Sequence, residues 1–258
     1  MFQRFVAIGD STTEGLDDPD GRGGYRGWAD RLAERLAELD PALRYANLAI
    51  RGRLAARVRA EQLEPAIALR PDLASVLAGL NDVLRPGFDV ARTAGAVEAM
   101  LAGLRAAGAT VVTFTLPDPA PIMPAARPLR PRVFALNDAV RAAARRTGAI
   151  VVDLGHAPVA SDPRLWSDDR LHANSGGHAR IAAAVAQALA LPGADASWIE
   201  PLPARGPRRR HELLAAEAAW TRRHLVPWVG RRIRGRSSGD GIEPKRPRLE
   251  PVVPAAGP

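Results

Sequence analysis

The sequence feature that most constrains the fold is a short apolar run near the start of the chain that ends in a glycine. Residues 5–8 are all apolar, and Gly9, Asp10 and Ser11 follow directly. A continuous apolar run of this length predicts a buried strand, and Gly9 permits a tight backbone turn after it. The turn is expected to place Asp10 and Ser11 at the carboxyl end of the strand, where open α/β sheets bind their ligands.

Ser11 has two interpretations at this position. Serine is a favoured residue at a helix N-cap, and Glu14, three residues later, would complete a capping box. A serine presented at the carboxyl end of a strand can also be a nucleophile. The two interpretations are compatible with each other, and this stretch alone does not decide between them.

Four further apolar segments predict strands, and segments with helical periodicity separate them. Such alternation indicates a parallel sheet with right-handed crossovers and helices on both faces. We therefore predict an α/β fold with five parallel strands in the order 2-1-3-4-5, contained in residues 1–192. The proline-rich stretch 117–131 is predicted to lack regular structure. The predicted strands are 5–8, 43–48, 73–78, 110–116 and 150–153, and the predicted helices are 28–39, 53–69, 90–107, 132–147 and 175–191.

The charge is distributed unevenly along the chain. Residues 201–258 contain 13 basic and 5 acidic side chains, which accounts for the whole net charge of +8. The high isoelectric point therefore describes this segment and does not mark the whole protein as a nucleic-acid binder. We expect residues 193–258 to form a basic extension rich in arginine and proline, helical over about 211–229 and disordered from 235. Its clustered arginines favour weak binding to a polyanion or an anionic membrane.

The composition excludes several classes of protein and site. The chain has no cysteine, so disulfides and thiolate metal sites are excluded. No apolar run reaches the roughly 18 residues that a membrane span needs. No secretory signal is visible, because the first apolar run is short and is needed as a strand. We therefore expect a cytoplasmic protein, and its oligomeric state stays open.

Glycine and polar residues also follow two other predicted strands. Gly52 comes after the second strand, and Gly79, Asn81 and Asp82 come after the third. Strands one and three flank the point where the strand order reverses, so Ser11 and Asn81 are expected to face one crevice with Gly52 nearby. Alternatively, Gly52 is only a turn glycine, and Asn81 and Asp82 cap the helix that follows.

An acidic residue and a histidine lie just before the last predicted helix of the body. Asp169 and His172 are three residues apart, a spacing that puts both side chains on one side of a helical turn. The carboxylate can accept a hydrogen bond from one imidazole nitrogen and leave the other free to act as a base. Taken alone, the pair also fits an ordinary surface contact. His178 is expected to pack or cap at the last helix.

Metal ligands are weakly represented among these residues. Asp10 and Asp82 are two carboxylates at strand ends, but no histidine cluster accompanies them. We therefore expect neither a metal nor another cofactor.

Four blocks of sequence together resemble the SGNH, or GDSL-type, hydrolases, and the body looks most similar to cytosolic members from actinobacteria. The blocks stand in the order and approximate spacing of that family and cover residues 5–191. They are Gly9-Asp10-Ser11, Gly52 after Asn47-Leu48-Ala49, Gly79-x-Asn81-Asp82, and Asp169-x-x-His172.

The resemblance implies a flavodoxin-like three-layer fold and hydrolysis of acyl esters. It also implies roles for single residues: Ser11 as nucleophile, His172 as base and Asp169 as the group that orients the base. The oxyanion hole would consist of the backbone N–H groups of Ser11 and Gly52 and the side-chain amide of Asn81. The basic extension lies outside the resemblance.

These observations favour a serine-dependent hydrolase of acyl esters, either esterase- or lipase-like or a carbohydrate O-deacetylase. An acyltransferase would use the same acyl-enzyme with an alcohol as acceptor. An alternative from another class is a non-catalytic binding module with a polyanion-binding tail. The acyl site is expected to involve apolar loop residues at this end of the sheet, which are Leu80, Leu84, Phe88, Ile122, Met123 and Trp166.

Overall fold

Five parallel strands and one antiparallel strand form the central sheet in the computed structural model, which describes residues 1–204, 206, 217–227, 230 and 238–252. The strands are β1 Arg4–Gly9, β2 Arg44–Asn47, β3 Leu73–Leu77, β4 Thr110–Phe114, β5 Ile150–Val152 and β6 Arg246–Pro251. Their order in the sheet is β5-β4-β3-β1-β2-β6. The predicted α/β fold and the predicted order of the first five strands are confirmed.

Helices cover both faces of the sheet. The α-helices of the described residues 1–204 are α1 Ser11–Glu14, α2 Gly27–Leu39, α3 Ala55–Ala68, α4 Leu80–Val83, α5 Val90–Ala106, α6 Pro119–Ile122, α7 Arg130–Thr147 and α8 Ser175–Ala188. Helices α2 and α8 pack together on one face, and α3, α5 and α7 pack together on the other. In the part of the chain that the structure describes, no helix combines the length and apolar character that a membrane span requires.

The proline-rich stretch 117–131 is more ordered than the sequence predicts. It contains α6 and a 3-10 helix over Pro124–Leu129, so the prediction of no regular structure is wrong. Both short helices have proline in the first turn, where the missing backbone N–H would have no helical partner in any case. The prolines therefore start these short helices.

Strand β1 lies in the middle of the sheet because its side chains are apolar on both faces. Residues 5–8 are fully buried. The ring of Phe5 stacks on Tyr45 of β2 with 5.1 Å between centroids, and Trp28 of α2 meets Phe114 of β4 edge-on at 4.9 Å. Each buried aromatic side chain contributes on the order of 2 kcal/mol to stability. This packing holds the carboxyl end of β1 in a fixed position.

The expected disorder from residue 235 is wrong for residues 238–252, because β6 joins the edge of the sheet. It pairs antiparallel with β2, with Arg44 opposite Pro251 and Asn47 opposite Arg246. A polar strand that contains proline is typical of a sheet edge, where few side chains are buried. Such a segment has no apolar alternation, and for this reason the sequence did not reveal the strand.

Lys245 anchors the chain just before β6. Its ammonium group donates hydrogen bonds to the carbonyl oxygens of Tyr25 at 2.9 Å and Arg26 at 2.8 Å, and it also pairs with the carboxylate of Asp30. The next residue, Arg246, lies over the ring of Tyr45 at 5.5 Å. Part of the basic charge of the extension is therefore used to attach it to the body.

Only part of the expected helix over about 211–229 can be compared with the structure. Residues 217–227 are helical, with a π-helical turn over Thr221–Leu225. The rest of the predicted helix, 211–216 and 228–229, lies outside the described residues, as do 231–237 and 253–258.

Replacement of the anchoring lysine, Lys245→Met, should lower the free energy of unfolding by about 1–3 kcal/mol, since two carbonyls and the carboxylate of Asp30 lose a charged donor. In a chain of this size that corresponds to a fall in Tm of roughly 2–10 °C, measured by thermal denaturation. The control is Arg248→Met, an exposed position on the strand β6 that follows Lys245, which should change stability by less than about 0.5 kcal/mol. Equal Tm values for the two variants would show that Lys245 does not anchor the extension.

Candidate active site

The chain turns sharply after β1, and buried hydrogen bonds fix the turn. The Oε1 atom of Gln62 in α3 accepts from the N–H of Gly9 at 2.8 Å, and its Nε2 donates to the Gly9 carbonyl at 2.9 Å. A Cβ atom at Gly9 would lie 2.4 Å from the carbonyl oxygen of Leu77, so a larger residue does not fit. The chain therefore leaves β1 in one direction and places Asp10 and Ser11 at the carboxyl edge of the sheet.

Asp10, and not Ser11, caps the short helix α1. The Oδ1 atom of Asp10 accepts from the backbone N–H of Thr12 at 3.2 Å, and Ser11 is the first helical residue. Glu14 does not complete a capping box, because its carboxylate accepts from the backbone N–H of Arg51 at 2.8 Å and pairs with its guanidinium. The interpretation of Ser11 as a helix cap is therefore wrong.

Ser11, His172 and Asp169 form a continuous chain of hydrogen bonds. The Oγ atom of Ser11 lies 2.9 Å from Nε2 of His172, although the two residues are 161 positions apart. Nδ1 of His172 lies 2.6 Å from Oδ2 of Asp169. A proton on Nδ1 is donated to the carboxylate, which leaves Nε2 as an acceptor for the serine hydroxyl. The structure thus brings together the three residues that the sequence analysis selected.

The second carboxylate oxygen of Asp169 is also fully engaged. Oδ1 accepts from the backbone N–H groups of Leu171 at 2.8 Å and His172 at 3.0 Å, and from the hydroxyl of Ser167 at 2.6 Å. With Oδ2 on the imidazole, the carboxylate has one orientation. The segment 167–172 therefore presents the imidazole to Ser11 in a defined position.

Burial and hydrogen bonding shift the pKa values of this pair in opposite directions. Burial opposes ionisation of Asp169, but the hydrogen bonds from His172 and Ser167 outweigh it and hold the pKa of Asp169 well below its usual range. Burial also opposes protonation of His172, but the hydrogen bond and charge of Asp169 outweigh it and raise the pKa of His172. The negative charges of Asp17 and Asp10 raise it further.

Asp17 is a second carboxylate near the imidazole, and the sequence analysis missed it. Its Oδ2 atom lies 3.8 Å from Nδ1 of His172. Its backbone has a φ of 64°, which is uncommon outside glycine. No motif spacing could have indicated this residue, since the loop after α1 brings it to a histidine that lies far away in the sequence.

Asp17, Asp169 and His172 are also the group of potential metal ligands found among the described residues, with ligand atoms within 4.8 Å of one another. The Nδ1 atom of His172 faces both carboxylates, and its hydrogen bond to Asp169 occupies the position that a metal ion would need. The arrangement therefore fits a hydrogen-bonded acid–histidine pair better than a metal site.

The predicted oxyanion-hole donors differ in whether they have a hydrogen-bond partner. Among the described residues, nothing accepts a hydrogen bond from the backbone N–H of Ser11 or of Gly52. Gly52 has a φ of 73°, a left-handed conformation that favours glycine. The amide of Asn81 donates to Oδ2 of Asp10 and to the carbonyl of Arg53, both at 3.1 Å. The Asn81 amide is therefore tied to Asp10, the neighbour of Ser11.

Asp10 and Asp82 both act as local hydrogen-bond acceptors. Asp10 binds Thr12 and Asn81, and its burial raises its pKa to about 6. Asp82 accepts from the N–H of Ala55 at 2.9 Å, at the start of α3. Asp82 therefore caps a helix, as the alternative interpretation expected. The helix is α3, which precedes Asp82 in the chain, and not the helix that follows it.

His178 has a structural environment, as the sequence analysis expected. Its Nδ1 accepts from the backbone N–H of Trp28 at 3.1 Å, and its Nε2 lies 3.0 Å from the carbonyl of Leu16. Burial lowers the pKa of His178 to about 4, so the ring stays neutral at physiological pH. It fixes the loop after α1 to helices α2 and α8.

A mainly apolar cavity of about 90 Å³ opens beside the turn. Thr12, next to Ser11, and Leu171, next to His172, are part of its wall. Phe88 does not line this cavity; its ring lies 6.0 Å from the guanidinium of Arg132. The other residues expected at the acyl site do line it, and they are Leu80, Leu84, Ile122, Met123 and Trp166.

Comparison with solved structures finds the same fold in several esterases and hydrolases. TesA is 24% identical, with a TM-score of 0.61 over 72% of this chain and 98% of TesA. LAE5, an alpha/beta hydrolase enzyme from the metagenome of Lake Arreo, Spain, is 23% identical, with a TM-score of 0.63 over 73% of this chain and 95% of its own. Axe2, an acetylxylan esterase from Geobacillus stearothermophilus, is 19% identical, with a TM-score of 0.62 over 77% of this chain and 96% of its own.

A search of curated protein sequences finds no significant match. Comparison with family models gives a more specific result. The model of the GDSL-like Lipase/Acylhydrolase family matches residues 7–180, which is well over half of the chain and includes every residue of the hydrogen-bonded site. The chain therefore belongs to the GDSL-like lipase/acylhydrolase family and is a serine ester hydrolase.

Proposed function

We propose that this protein hydrolyses esters of short acyl groups through an acyl-enzyme formed on Ser11. The observation that carries the proposal is the hydrogen-bonded chain from Ser11 Oγ through His172 to Asp169, with distances of 2.9 and 2.6 Å. A nucleophile, a base and an orienting carboxylate in this order are the parts that acyl transfer requires.

The proposed base is His172. As Oγ of Ser11 attacks the carbonyl carbon, Nε2 takes the hydroxyl proton, and Asp169 stabilises the imidazolium that forms. The same nitrogen then gives the proton to the departing alcohol oxygen, which leaves the acyl group on Ser11. A water molecule repeats the sequence, with His172 again as base, and releases the acid and the free serine.

The proposed oxyanion hole consists of the backbone N–H groups of Ser11 and Gly52 and the amide of Asn81. Two of these donors have no partner among the described residues, and this supports a role as donors to substrate. The Asn81 amide already donates to Asp10 and Arg53, so it would have to share or exchange one bond as the oxyanion forms. Such donors stabilise the charge that develops on the carbonyl oxygen.

The cavity beside Ser11 supports a short acyl group. Its volume of about 90 Å³ is smaller than the roughly 150 Å³ of an engineered cavity that admits benzene. Its apolar lining favours a hydrocarbon chain over a charged acyl group. The structural neighbour Axe2 is described as an acetylxylan esterase, and an acetyl ester would fit this volume.

Loss of the proposed nucleophile tests the mechanism. Ser11→Ala should fold normally and reduce kcat by about 10⁴-fold or more, as removal of a triad member does. A fluorophosphonate probe should label wild type at Ser11, as located by peptide mass spectrometry. Ser197→Ala, at an exposed position, is the control and should retain activity and labelling. Labelling of any other serine would contradict the assignment.

Acid should inactivate the enzyme as His172 becomes protonated. Because its pKa is raised, kcat/KM should fall below a midpoint that lies above 6.5 and should be constant at higher pH. Asp169→Asn should reduce kcat by about 10⁴-fold and move this midpoint to lower pH, since the group that raises the pKa is lost. His178→Gln should leave the midpoint in place in the folded protein, because the pKa of His178 is about 4. An unchanged midpoint in Asp169→Asn would contradict the assignment of the base.

The cavity predicts a preference for short acyl chains. With p-nitrophenyl esters, kcat/KM should fall at least about tenfold from butyrate to dodecanoate. One or two methylene groups that do not fit into the cavity are enough to lower kcat/KM by that factor. Leu84→Ala enlarges the cavity and should reduce this difference, whereas Leu69→Ala, outside the cavity, should not. A wild-type preference for dodecanoate would contradict the proposed substrate class.

A further inference from the structure

The segment 167–172 carries the acid and the base, and the C-terminal helix 217–227 contacts it from outside. Trp220 of this helix is 8% exposed. Its indole N–H donates to the backbone carbonyl of Asp169 at 3.2 Å. Among the described residues, no other group donates to this carbonyl. The extension therefore reaches the backbone of the residue that binds the imidazole.

Arg170, one of the two residues between the acid and the base, has a strained backbone. Its φ is 60°, in the left-handed region that residues other than glycine seldom adopt. Such a conformation is unfavourable and persists only where the surroundings hold it. The strain suggests that contacts outside the segment help to define its shape.

The contacts that hold Arg170 come from the same helix. Its guanidinium carbon lies 4.9 Å from the ring centre of Trp220, a cation–π distance. Its Nη1 atom pairs with the carboxylate of Glu217, with oxygens at 2.7 and 2.8 Å. The side chain of Arg170 is thus enclosed by two residues of the extension.

The segment also has hydrogen bonds of its own. The N–H of Ser167 donates to the carbonyl of His172 at 2.8 Å, and the N–H of Arg170 donates to the carbonyl of Ser167 at 3.0 Å. These bonds close the segment into a turn, but none of them involves the carbonyl of Asp169. The Asp169 carbonyl and the Arg170 N–H belong to one planar peptide group, so this group is held by Ser167 from inside the segment and by Trp220 from outside.

We propose that Trp220 is a positioning residue of the active site, and that its indole N–H orients the Asp169–His172 pair toward Ser11. Trp220 makes no contact with Ser11, so it acts only through the segment 167–172. Glu217 assists by holding Arg170 against the indole ring. The inference rests on the proposed function, because it assigns the acid and the base to this segment. The extension is then part of the catalytic unit.

The decisive variant is Trp220→Phe, which keeps an aromatic ring over Arg170 and removes the N–H donor together with the five-membered ring of the indole. We expect kcat to fall about tenfold, with KM for p-nitrophenyl acetate unchanged. A small misplacement of catalytic groups can lower the rate by roughly a hundredfold, and the expected loss lies within that range. Glu217→Gln should give a smaller loss of the same kind. The control is Arg222→Ala, an exposed position on the same helix, which should behave as wild type. Circular dichroism checks that each variant is folded.

The pH profile separates positioning from a general loss of stability. The ring of His172 is faced by Asp169, Asp17 and Asp10, which all raise its pKa, and all three contacts depend on the segment that Trp220 holds, because the ring belongs to it. In Trp220→Phe the acid midpoint of kcat/KM should therefore move to lower pH. An unchanged midpoint together with an unchanged kcat would overturn the proposal. An increase in KM alone would also overturn it, since it would indicate a substrate contact.

Proton NMR gives a readout that does not depend on turnover. The proton shared by His172 and Asp169 should give a low-field signal in wild type, and this signal should weaken or exchange faster in Trp220→Phe. Titration of the His172 ring should give a lower pKa in the variant. If wild type shows no labelling of Ser11 and no esterase activity, the proposed function fails, while these NMR results still decide whether Trp220 positions the pair. Identical spectra and pKa values in both proteins would overturn the positioning role.

Discussion

The paired hydrogen bonds between the side chain of Gln62 and the backbone of Gly9 are the interaction on which the geometry of the site depends. Gly9 ends a buried strand, so its N–H and carbonyl are shielded from water, and each would cost about 1–3 kcal/mol if unpaired. Gln62 satisfies both groups from helix α3. The loop with Gly52 leads directly into this helix. The same contact therefore fixes the proposed nucleophile and the proposed oxyanion glycine relative to each other.

The two buried histidines His172 and His178 have opposite pKa shifts because different groups surround their rings. Burial alone lowers the pKa of both. His178 forms hydrogen bonds only with backbone groups, a donor from Trp28 and an acceptor from Leu16. Burial outweighs the Leu16 carbonyl and the charge of Asp18, which raise its pKa, so the ring remains neutral. His172 meets the ionised carboxylate of Asp169, which reverses the direction of the shift. Only His172 combines a raised pKa with a free nitrogen that faces a hydroxyl, and this supports its assignment as the base.

Local patterns predicted much of the fold, and contacts distant in sequence account for most of what was missed. The apolar run of β1 and the strand–helix alternation were enough for the sheet order, whereas Ser11, Asp169 and His172 were selected only because four blocks of sequence together resemble a known family. The capping box was wrong because Asp10 competes for the same position and wins. Asp17, the contact of Trp220 with the segment 167–172 and the strand β6 were missed because their partners lie far away in the chain. No side chain of β6 is fully buried, so its sequence does not show the apolar alternation that would predict a strand.

Residues of the basic extension contact the body of the protein on both sides of the proposed site. On one side, Trp220 and Glu217 hold the segment with the acid and the base. On the other side, the buried Gly239 lies so close to Arg51 that a Cβ atom would be 2.1 Å from its carbonyl oxygen, and Arg51 directly precedes Gly52. The family model ends at residue 180 and includes neither contact. The residues proposed to perform the chemistry and the residues that contact them from outside therefore have different limits in this chain, and the second set extends at least to Gly239.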